Sequence, residues 1–257
     1  MAEQNLKLSL LIDERSAQDP EIQDLQKANG FVTPQECDVI VCVGGDGFML
    51  HTLHQALKLD KPVFGLNKGS VGFLMNAFST QDLHTRIAQS QTLEISPLKM
   101  TVKHCKGGEE TFYAFNEVSL LRQLHQAAKI RVHVDGVVRI PELVCDGIMV
   151  ATPVGSTAYN FSASGPILPL TSNLLALTPI SPYRPRRWRG ALLPQDVKIS
   201  FEVHEADKRP ISATADYQEA RDVCWVDIVM DHTQKVHVLY DSGETLAQRV
   251  IAEQFEI

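Results

Sequence analysis

The chain has 257 residues, a length that suits one large domain or two small ones. Of these residues 44% are hydrophobic and 21% charged, a composition typical of a globular protein. Its net charge of −7 at pH 7 argues against general affinity for nucleic acid or for an anionic membrane surface. No apolar run approaches the roughly 18 residues of a membrane span, and no secretory signal pattern opens the chain, so we expect a cytoplasmic protein.

The first third of the chain alternates between strand and helix patterns. In chain order these segments are 6–12, 14–28, 38–43, 48–59, 62–66 and 81–89. Asp38–Val43 is apolar at nearly every position, which is typical of a strand buried on both faces of a parallel sheet. The alternation predicts an α/β domain over residues 1–97, with an open, mostly parallel sheet and helices on both faces.

After about Pro97 the pattern changes to strands with hairpin turns between them. The predicted strands are 98–106, 111–122, 129–134, 137–140, 197–203, 223–230 and 236–240. We therefore predict a β-rich, antiparallel domain over residues 98–240. Residues 241–257 carry apolar side chains at helical spacing and predict a closing helix.

The five cysteines are scattered and form no C-x-x-C pair, which predicts reduced, buried thiols. His51 and His54 could share one helix face, and His104 adjoins Cys105. Neither grouping has the further ligands that a structural zinc site needs. We therefore expect no metal ion bound by the protein itself.

The turn Gly44-Gly45-Asp46-Gly47 connects a buried strand to a helix. Glycines allow positive φ angles and close approach of a ligand, and amides at a helix N-terminus favour a phosphate group. A carboxylate there would repel phosphate, so Asp46 is expected to accept a proton from a hydroxyl or to hold Mg²⁺ near the phosphates. The alternative is a tight turn whose Asp caps the helix. Neither the dinucleotide fingerprint nor a P-loop motif is present.

Two further motifs contain polar groups in strand surroundings. Gly65–Leu74 follows the third strand, at the sheet end where α/β proteins bind ligands, although a structural loop explains it equally well. Asn116 and Glu117 interrupt an apolar strand pattern, where polar side chains need partners. A ribose diol would satisfy both side chains, and a strand edge facing water is the alternative.

The longest motif runs from Asp146 to Pro166 (DGIMVATPVGSTAYNFSASGP). A buried strand leads into a Gly-Ser-Thr turn, where small residues would let a flat base or a diphosphate approach closely. Tyr159 offers a ring for stacking, Ser162 offers a hydroxyl, and Asp146 offers an acceptor before the strand. Packing alone does not explain this density of small and hydroxyl residues.

In this order, the four motifs resemble those of the NAD kinase family, of the bacterial ATP- or polyphosphate-dependent type. Its pattern is a GGDG turn, a GxNxGxxGFL loop, an NE pair and a DGxxxxTPxGSTAY segment. Lipid kinases of the diacylglycerol type and phosphofructokinases share only the GGDG-like turn. The resemblance implies a Rossmann-like, phosphofructokinase-like α/β domain and a β-rich domain of the two-layer sandwich type. It also implies a last helix packed on the first domain and a site between the domains.

The implied reaction is phosphorylation of the 2′-hydroxyl of the adenosine ribose of NAD, giving NADP, with Asp46 as general base. ATP or polyphosphate would be the donor, with Mg²⁺ or another divalent cation. Phosphates would be bound by Gly44, Gly45, Gly47 and Asn67. The residues implied to bind NAD are Asp46, Gly47, Asn116, Glu117, Asp146, Val154, Thr157, Ala158, Tyr159, Asn160 and Ser162.

The sequence departs from the family pattern at Phe48, where Thr is frequent, and at His51, where Arg or Lys is common, which leaves the donor open. The resemblance implies a homodimer or homotetramer. We interpret the arginine-rich segment Arg184–Arg189 as a subunit contact, with phosphate binding as the alternative. Asp216 is expected to approach the site from a neighbouring subunit. Rival functions are a lipid or sugar kinase on the same scaffold and a non-catalytic NAD sensor.

Overall fold

The computed structural model describes residues 6–28, 30–68 and 74–241. Among these, residues 6–96 and 233–241 form one compact unit, and residues 97–232 form a second. The predicted closing helix over 241–257 and the central residues 69–73 of the Gly65–Leu74 motif lie outside the described residues, apart from residue 241.

The elements of the first unit up to residue 96 alternate between strand and helix. They are β1 (Leu8–Ile12), α1 (Pro20–Ala28), β2 (Val39–Val43), α2 (Asp46–Leu59), β3 (Val63–Asn67), β4 (Asn76–Ala77), α3 (Leu83–Ala88) and β5 (Gln91–Ile95). The predicted helix over 14–28 begins only at Pro20, because residues 14–18 form turns. Proline is well suited to a first helical position, since it has no amide hydrogen to leave unpaired.

The rest of the chain is almost entirely strand. Its elements are β6 (Leu98–His104), β7 (Glu109–Ala114), β8 (Glu117–Arg122), β9 (Ala128–Val134), β10 (Val137–Cys145), β11 (Gly147–Ala151), a 3₁₀ turn (Val154–Thr157), α4 (Tyr159–Ser162), β12 (Leu174–Ile180), β13 (Ala191–Pro194), β14 (Ile199–Val203), β15 (Ile211–Ala215), β16 (Gln218–Ala220), β17 (Val223–Met230) and β18 (Val236–Tyr240). Strands β12, β13, β15 and β16 have no counterpart among the predicted elements.

The first unit contains one sheet in the order β1-β2-β3-β18-β5, with β4 beside β3. Neighbouring strands are parallel as far as β18, and β5 runs antiparallel to β18. All five residues of β2 are buried, as its apolar composition predicts. The prediction of a mostly parallel α/β sheet is confirmed.

Strand β18 corrects the sequence interpretation, which assigned residues 236–240 to the β-rich domain. It lies between β3 and β5 in the first sheet. Four of its five residues are buried, as they must be in a central strand of this sheet. The local pattern predicts a strand correctly here, but it carries no information on which sheet the strand joins.

The second unit is built from two six-stranded sheets, β10-β9-β14-β17-β6-β7 and β13-β12-β11-β8-β15-β16. Neighbouring strands within both sheets pair antiparallel, and β6 and β9 alternate between buried and more exposed positions. Met100 and Phe201 of one sheet share a core with Leu120 and Val150 of the other. Such packing of two apolar faces is a two-layer sandwich, so the predicted fold class is confirmed.

The predicted strand 111–122 is in fact two strands in different sheets. Strand β7 pairs with β6, whereas β8 pairs with β11 and β15. The chain passes from one sheet to the other at Phe115 and Asn116. An apolar run that changes sheets has the same local pattern as a continuous strand, and for this reason the sequence did not reveal the break.

The prediction of five reduced thiols is wrong for one pair. Cys105 and Cys224 form a disulfide with their Cα atoms 5.0 Å apart, because the pairing of β6 with β17 joins residues 119 positions apart in the sequence. The other three cysteines, Cys37, Cys42 and Cys145, are buried free thiols. Within the described residues, no helix combines the length and apolarity that crossing a membrane requires.

Candidate active site

Asp46 is the first residue of α2 and directly follows the turn after β2. Gly45, in an extended conformation with φ −103° and ψ −179°, is the N-cap residue and provides no side-chain cap. The alternative reading, in which Asp46 serves as the helix cap, is therefore not supported. Its carboxylate is exposed, and Oδ1 lies 3.5 Å from the backbone amide of Leu74. The helix thus begins with an accessible acidic group beside its N-terminal amides, which have no acceptor within the helix itself.

The three glycines of this turn contribute differently from the expectation. None of Gly44, Gly45 and Gly47 has a positive φ, because the extended turn passes directly into the helix. A Cβ at Gly44 would lie 3.0 Å from Phe48, so this residue packs against α2. A Cβ at Gly45 or Gly47 would meet no described atom within 4 Å. As far as the described residues show, side chains at these two positions would meet no neighbour beside Asp46.

The turn and Asn67 lie at the same edge of the parallel sheet. Val43, at the end of β2, pairs with Leu66 of β3, and the amide of Gly44 donates to the Leu66 carbonyl at 3.1 Å. Asn67 ends β3 and is half-buried. The carboxyl ends of parallel strands are where α/β sheets bind ligands. The structure therefore brings together two of the predicted phosphate-binding segments.

In the second unit, three strand ends meet around Asn116 and Glu117. Glu117 at the start of β8 pairs with Ala151 at the end of β11. On the other side, Val118 pairs with Ala215 at the end of β15. Because β8 is antiparallel to both neighbours, the segments that follow β11 and β15 lie at the same end of the sheet as Asn116.

Thr152 and Gly155 hold the segment after β11 against Asn116. The Thr152 amide donates to the Asn116 carbonyl at 2.9 Å, and the Thr152 hydroxyl donates to the Phe115 carbonyl at 2.6 Å. The Gly155 amide donates to the same hydroxyl at 3.0 Å. A Cβ at Gly155 would lie 2.2 Å from the Asn116 carbonyl oxygen, so no larger residue fits. Sequence reasoning did not single out Thr152, although it stands in the most specific motif.

Asp216, in the turn between β15 and β16, binds the segment Phe115–Glu117, where the chain crosses from one sheet to the other. We call this segment the crossing. Its carboxylate accepts hydrogen bonds from the amides of Phe115 at 2.8 Å, Asn116 at 3.0 Å and Glu117 at 3.3 Å. The expectation of an approach from a neighbouring subunit is therefore corrected, because the carboxylate binds its own chain. The contact joins residues about one hundred positions apart, so no local pattern could reveal it.

Glu117 has an unusual environment for an acidic side chain. Its Oε2 is buried and has no hydrogen-bond partner among the described residues. Burial, followed by the negative charge of Asp216, raises the pKa of Glu117 to about 7. Buried polar atoms without partners are rare in native proteins, and perturbed pKa values concentrate at functional sites. This carboxyl group is therefore a strong candidate for contact with a ligand.

Asn160, which the resemblance implies to bind NAD, uses its side chain inside the protein. The residue is fully buried, and its Nδ2 donates to the carbonyls of Ser156 at 3.2 Å and Pro166 at 2.9 Å. Its Oδ1 accepts from the Thr178 hydroxyl at 2.6 Å. With these bonds made inside the protein, the amide ties the motif to β12 rather than reaching a ligand.

The remaining predicted residues of the motif differ in accessibility. Tyr159 is 38% exposed, and Ser162 is also exposed. Thr157 and Ala158 are half-buried, whereas Val154 is buried. The motif thus presents a ring and a hydroxyl to solvent on a buried support.

Asp146 lies apart from this group. It precedes β11, whereas the other residues follow the end of that strand, and a five-residue strand spans roughly 16 Å. Its Oδ1 accepts a hydrogen bond from Arg122 Nε at 2.6 Å, which gives the carboxylate a partner within the chain. Within one chain, the structure does not bring Asp146 together with Asn116 and Glu117.

The arginine-rich segment borders a separate feature. The loop between β12 and β13 contains Trp188, which lines a cavity of about 680 Å³ together with Val132, Leu177 and Leu193. None of the predicted NAD-binding residues lines this cavity. The four arginines of the loop are exposed, and they make no ion pair with any residue that the structure describes.

Two family models match the chain over most of its length. Residues 3–94 match the ATP-NAD kinase N-terminal domain, and residues 115–240 match the ATP-NAD kinase C-terminal domain. The chain belongs to the ATP-NAD kinase family. It is an enzyme that phosphorylates NAD, and the rival interpretations as a lipid or sugar kinase and as a non-catalytic sensor find no support.

Curated members of the NAD kinase family are similar over nearly the whole chain. A protein named NAD kinase from Rhizobium meliloti is 53% identical over 233 residues, covering 91% of each chain. Another from Caulobacter vibrioides is 52% identical over 240 residues, covering 92% of each chain.

Solved structures of NAD kinases show the same fold. Yeast NADH kinase complexed with NADH aligns with a TM-score of 0.77 at 19% identity, over 96% of this chain and 86% of that one. An NAD kinase from Archaeoglobus fulgidus in complex with ATP aligns with a TM-score of 0.74 at 24% identity, over 96% and 98% of the two chains. At these identities the comparison supports the fold alone.

Proposed function

We propose that the protein transfers the γ-phosphoryl group of ATP to the 2′-hydroxyl of the adenosine ribose of NAD, with Asp46 as the catalytic base. The observation that carries this proposal is the accessible carboxylate at the start of a 14-residue helix, next to two glycines that have no side chains. A group that must accept a proton from a substrate hydroxyl needs this accessibility.

The chemistry follows from the surroundings of that helix start. The unpaired amides and the positive end of the helix dipole favour the phosphates of the donor, which we assign to Gly44, Gly45, Gly47 and Asn67. Asp46 accepts the hydroxyl proton as the ribose oxygen bonds to the γ-phosphorus, and the bond from that phosphorus to the bridging oxygen breaks to release ADP. An Asp is a weak base, so its contribution comes from placement against the hydroxyl.

We assign the divalent cation to the phosphate donor. Across the described residues, there is no group of three or more His, Cys, Asp or Glu side chains that could hold a metal ion. A magnesium ion bound to the donor phosphates would offset their negative charge during transfer. Polyphosphate carries the same kind of charge and is the alternative donor.

The second unit would bind the dinucleotide. Glu117 and Asn116 would grip a ribose diol, which would give the buried Oε2 of Glu117 the partner that it lacks. Tyr159 would stack on a flat ring and Ser162 would hydrogen-bond, with Thr157, Ala158 and Val154 forming the surrounding wall. Gly47 of the first unit remains a predicted NAD contact. Asp146 remains a predicted contact, and we assign Asn160 to the support of the motif.

The test is the formation of NADP from NAD in the presence of Mg²⁺ and either ATP or polyphosphate. We expect turnover by the wild type, and a loss of about 100-fold or more in kcat for Asp46→Ala with NAD binding retained. Asp24→Ala, which removes an exposed carboxylate from α1, is the matched control and should behave as the wild type. Unchanged turnover of Asp46→Ala would exclude Asp46 as the base.

We infer that the protein forms homodimers or homotetramers through the open edge of the sandwich. Strands β10 and β13 are the edge strands of their sheets, and they carry the exposed residues Val137, Val138 and Leu192. Exposed apolar side chains beside arginines and an exposed Tyr183 match the composition of interfaces. Val138→Asp should lower the mass measured by sedimentation, whereas a wild-type monomer would exclude the inference.

We also propose a cytoplasmic location, where NAD is available. Immunodetection in fractionated cells should find the protein together with cytoplasmic marker enzymes. Its recovery in a periplasmic or membrane fraction would contradict this location.

A further inference from the structure

Asp216 makes an unusual set of contacts with the chain crossing at Phe115–Glu117. Its carboxylate accepts hydrogen bonds from three successive amides, and its own amide donates to the Glu117 carbonyl at 3.1 Å. Hydrogen bonds to an ionised acceptor are about twice as strong as those between neutral groups. One carboxylate therefore fixes the orientation of three consecutive peptide groups.

The crossing needs such a support, because Phe115 and Asn116 lie between two strands that belong to different sheets. Phe115 is buried, so water cannot replace a lost partner for its amide. On the carbonyl side, the amide and the hydroxyl of Thr152 donate to the carbonyls of Asn116 and Phe115, and the Gly155 amide donates to the Thr152 hydroxyl. Asp216 thus accepts hydrogen bonds from the amides of the crossing, and Thr152 donates hydrogen bonds to its carbonyls.

We propose that Asp216 is a positioning residue for NAD binding, which holds the backbone so that the Asn116 and Glu117 side chains face the ribose diol. Asp216 itself does not contact the substrate. The inference rests on the proposed role of Asn116 and Glu117 in binding NAD. Two observations support the proposal. Glu117 Oε2 is buried without a partner among the described residues, and Asp216 binds the amides of the residues that carry this side chain and its neighbour.

The backbone of Asp216 allows a clean substitution. Its φ of 54° lies in the left-handed region, which glycine adopts without strain and asparagine tolerates. Asp216→Gly therefore removes the carboxylate and keeps the turn, and Asp216→Asn retains one acceptor oxygen. Asp222, which is exposed and has the same φ of 54°, provides the matched control Asp222→Gly.

We expect Asp216→Gly to raise the KM for NAD about tenfold, and Asp216→Asn to raise it about threefold, as charge-assisted hydrogen bonds are lost. Because the donor binds elsewhere, the KM for ATP and the kcat at saturating NAD should change by less than about twofold, a split that a general loss of folding would not produce. Asp222→Gly should leave all three constants at the wild-type values.

Asn116→Ala and Glu117→Gln distinguish a failure of the proposed NAD-binding role from a failure of the positioning role. If neither raises the KM for NAD, their binding role fails and the inference on Asp216 fails with it. If both raise it while Asp216→Gly matches Asp222→Gly, the positioning role alone is overturned. A fall in melting temperature with equal loss for both substrates would show that Asp216 only stabilises the fold, which also overturns the proposal.

Discussion

The turn after β2 and the crossing at Asn116 use polar residues in opposite ways. In the turn, Asp46 is exposed and its neighbours Gly45 and Gly47 have no side chains. At the crossing, Thr152 and Asp216 are bound into the chain by short hydrogen bonds, and Gly155 has no room for a side chain. The turn thus leaves an acidic side chain exposed, whereas the crossing buries a Glu117 oxygen that has no partner among the described residues.

The difference has a cause in the two kinds of sheet. The end of a parallel strand leads directly into a helix, whose first amides are unpaired and available to a ligand. In the sandwich, the chain moves between sheets and must satisfy its backbone groups internally. Substitutions in the turn should therefore change activity more than stability, and substitutions around the crossing should change both.

Gly155→Ala should have the largest effect on stability. Its methyl group would lie 2.2 Å from the Asn116 carbonyl oxygen, a backbone atom that cannot move aside without breaking the bond to Thr152. We expect a loss of about 3 kcal/mol in the free energy of unfolding by urea, together with weaker NAD binding. A variant as stable as the wild type would show that the crossing tolerates displacement, and the contrast between the two regions would disappear.

Glu117→Gln tests the unsatisfied carboxyl group through pH. The folded state raises the pKa of Glu117 from 4.5 to about 7, so it favours the protonated form. The stabilising contribution of this carboxyl group to the free energy of unfolding is fully present below about pH 4.5. It is lost as the pH rises through about 7, a change on the order of 3 kcal/mol. The Gln variant should therefore gain stability relative to the wild type between pH 5 and pH 8 in urea titrations. Parallel pH profiles would mean that the carboxyl group is not desolvated.

Thr178→Val should have an intermediate effect. It removes the hydroxyl that donates to Asn160 Oδ1 at 2.6 Å and leaves that buried oxygen without this donor. We expect a loss of about 2 kcal/mol in unfolding free energy. Thr178 lies in β12 and is not a proposed NAD contact. The KM for NAD should therefore rise only as far as the loss of this bond loosens the segment around Asn160. No loss of stability would return Asn160 to the list of direct ligands.

Gly47→Ala should have the smallest effect on stability, and of opposite sign. The methyl group meets no described atom within 4 Å, and alanine favours the helix, so unfolding should cost about 0.5 kcal/mol more. Activity should nevertheless fall, because the methyl group occupies space that we assign to the substrates. A stable variant with full activity would exclude close approach of a substrate at this residue.

The features that could be predicted from the sequence are local ones. The buried run 39–43 followed by three glycines and an Asp predicted β2, the turn and α2 within a few residues. The bond between Asp216 and Asn116, the Cys105–Cys224 disulfide and the place of β18 all join distant positions in the chain. Composition and periodicity describe a segment and its faces, and they do not state its partner.

The place of β18 also has a consequence for the order in which the protein can be assembled. Its residues follow all the strands of the sandwich in the sequence, yet they lie between β3 and β5. Without β18, Val63 and Phe64 of β3 present an open edge, whereas Leu66 and Asn67 at the end of the strand already pair with β4. A polypeptide that has not yet reached residue 236 therefore contains all the strands of the sandwich, but the first part of β3 still lacks its second neighbour.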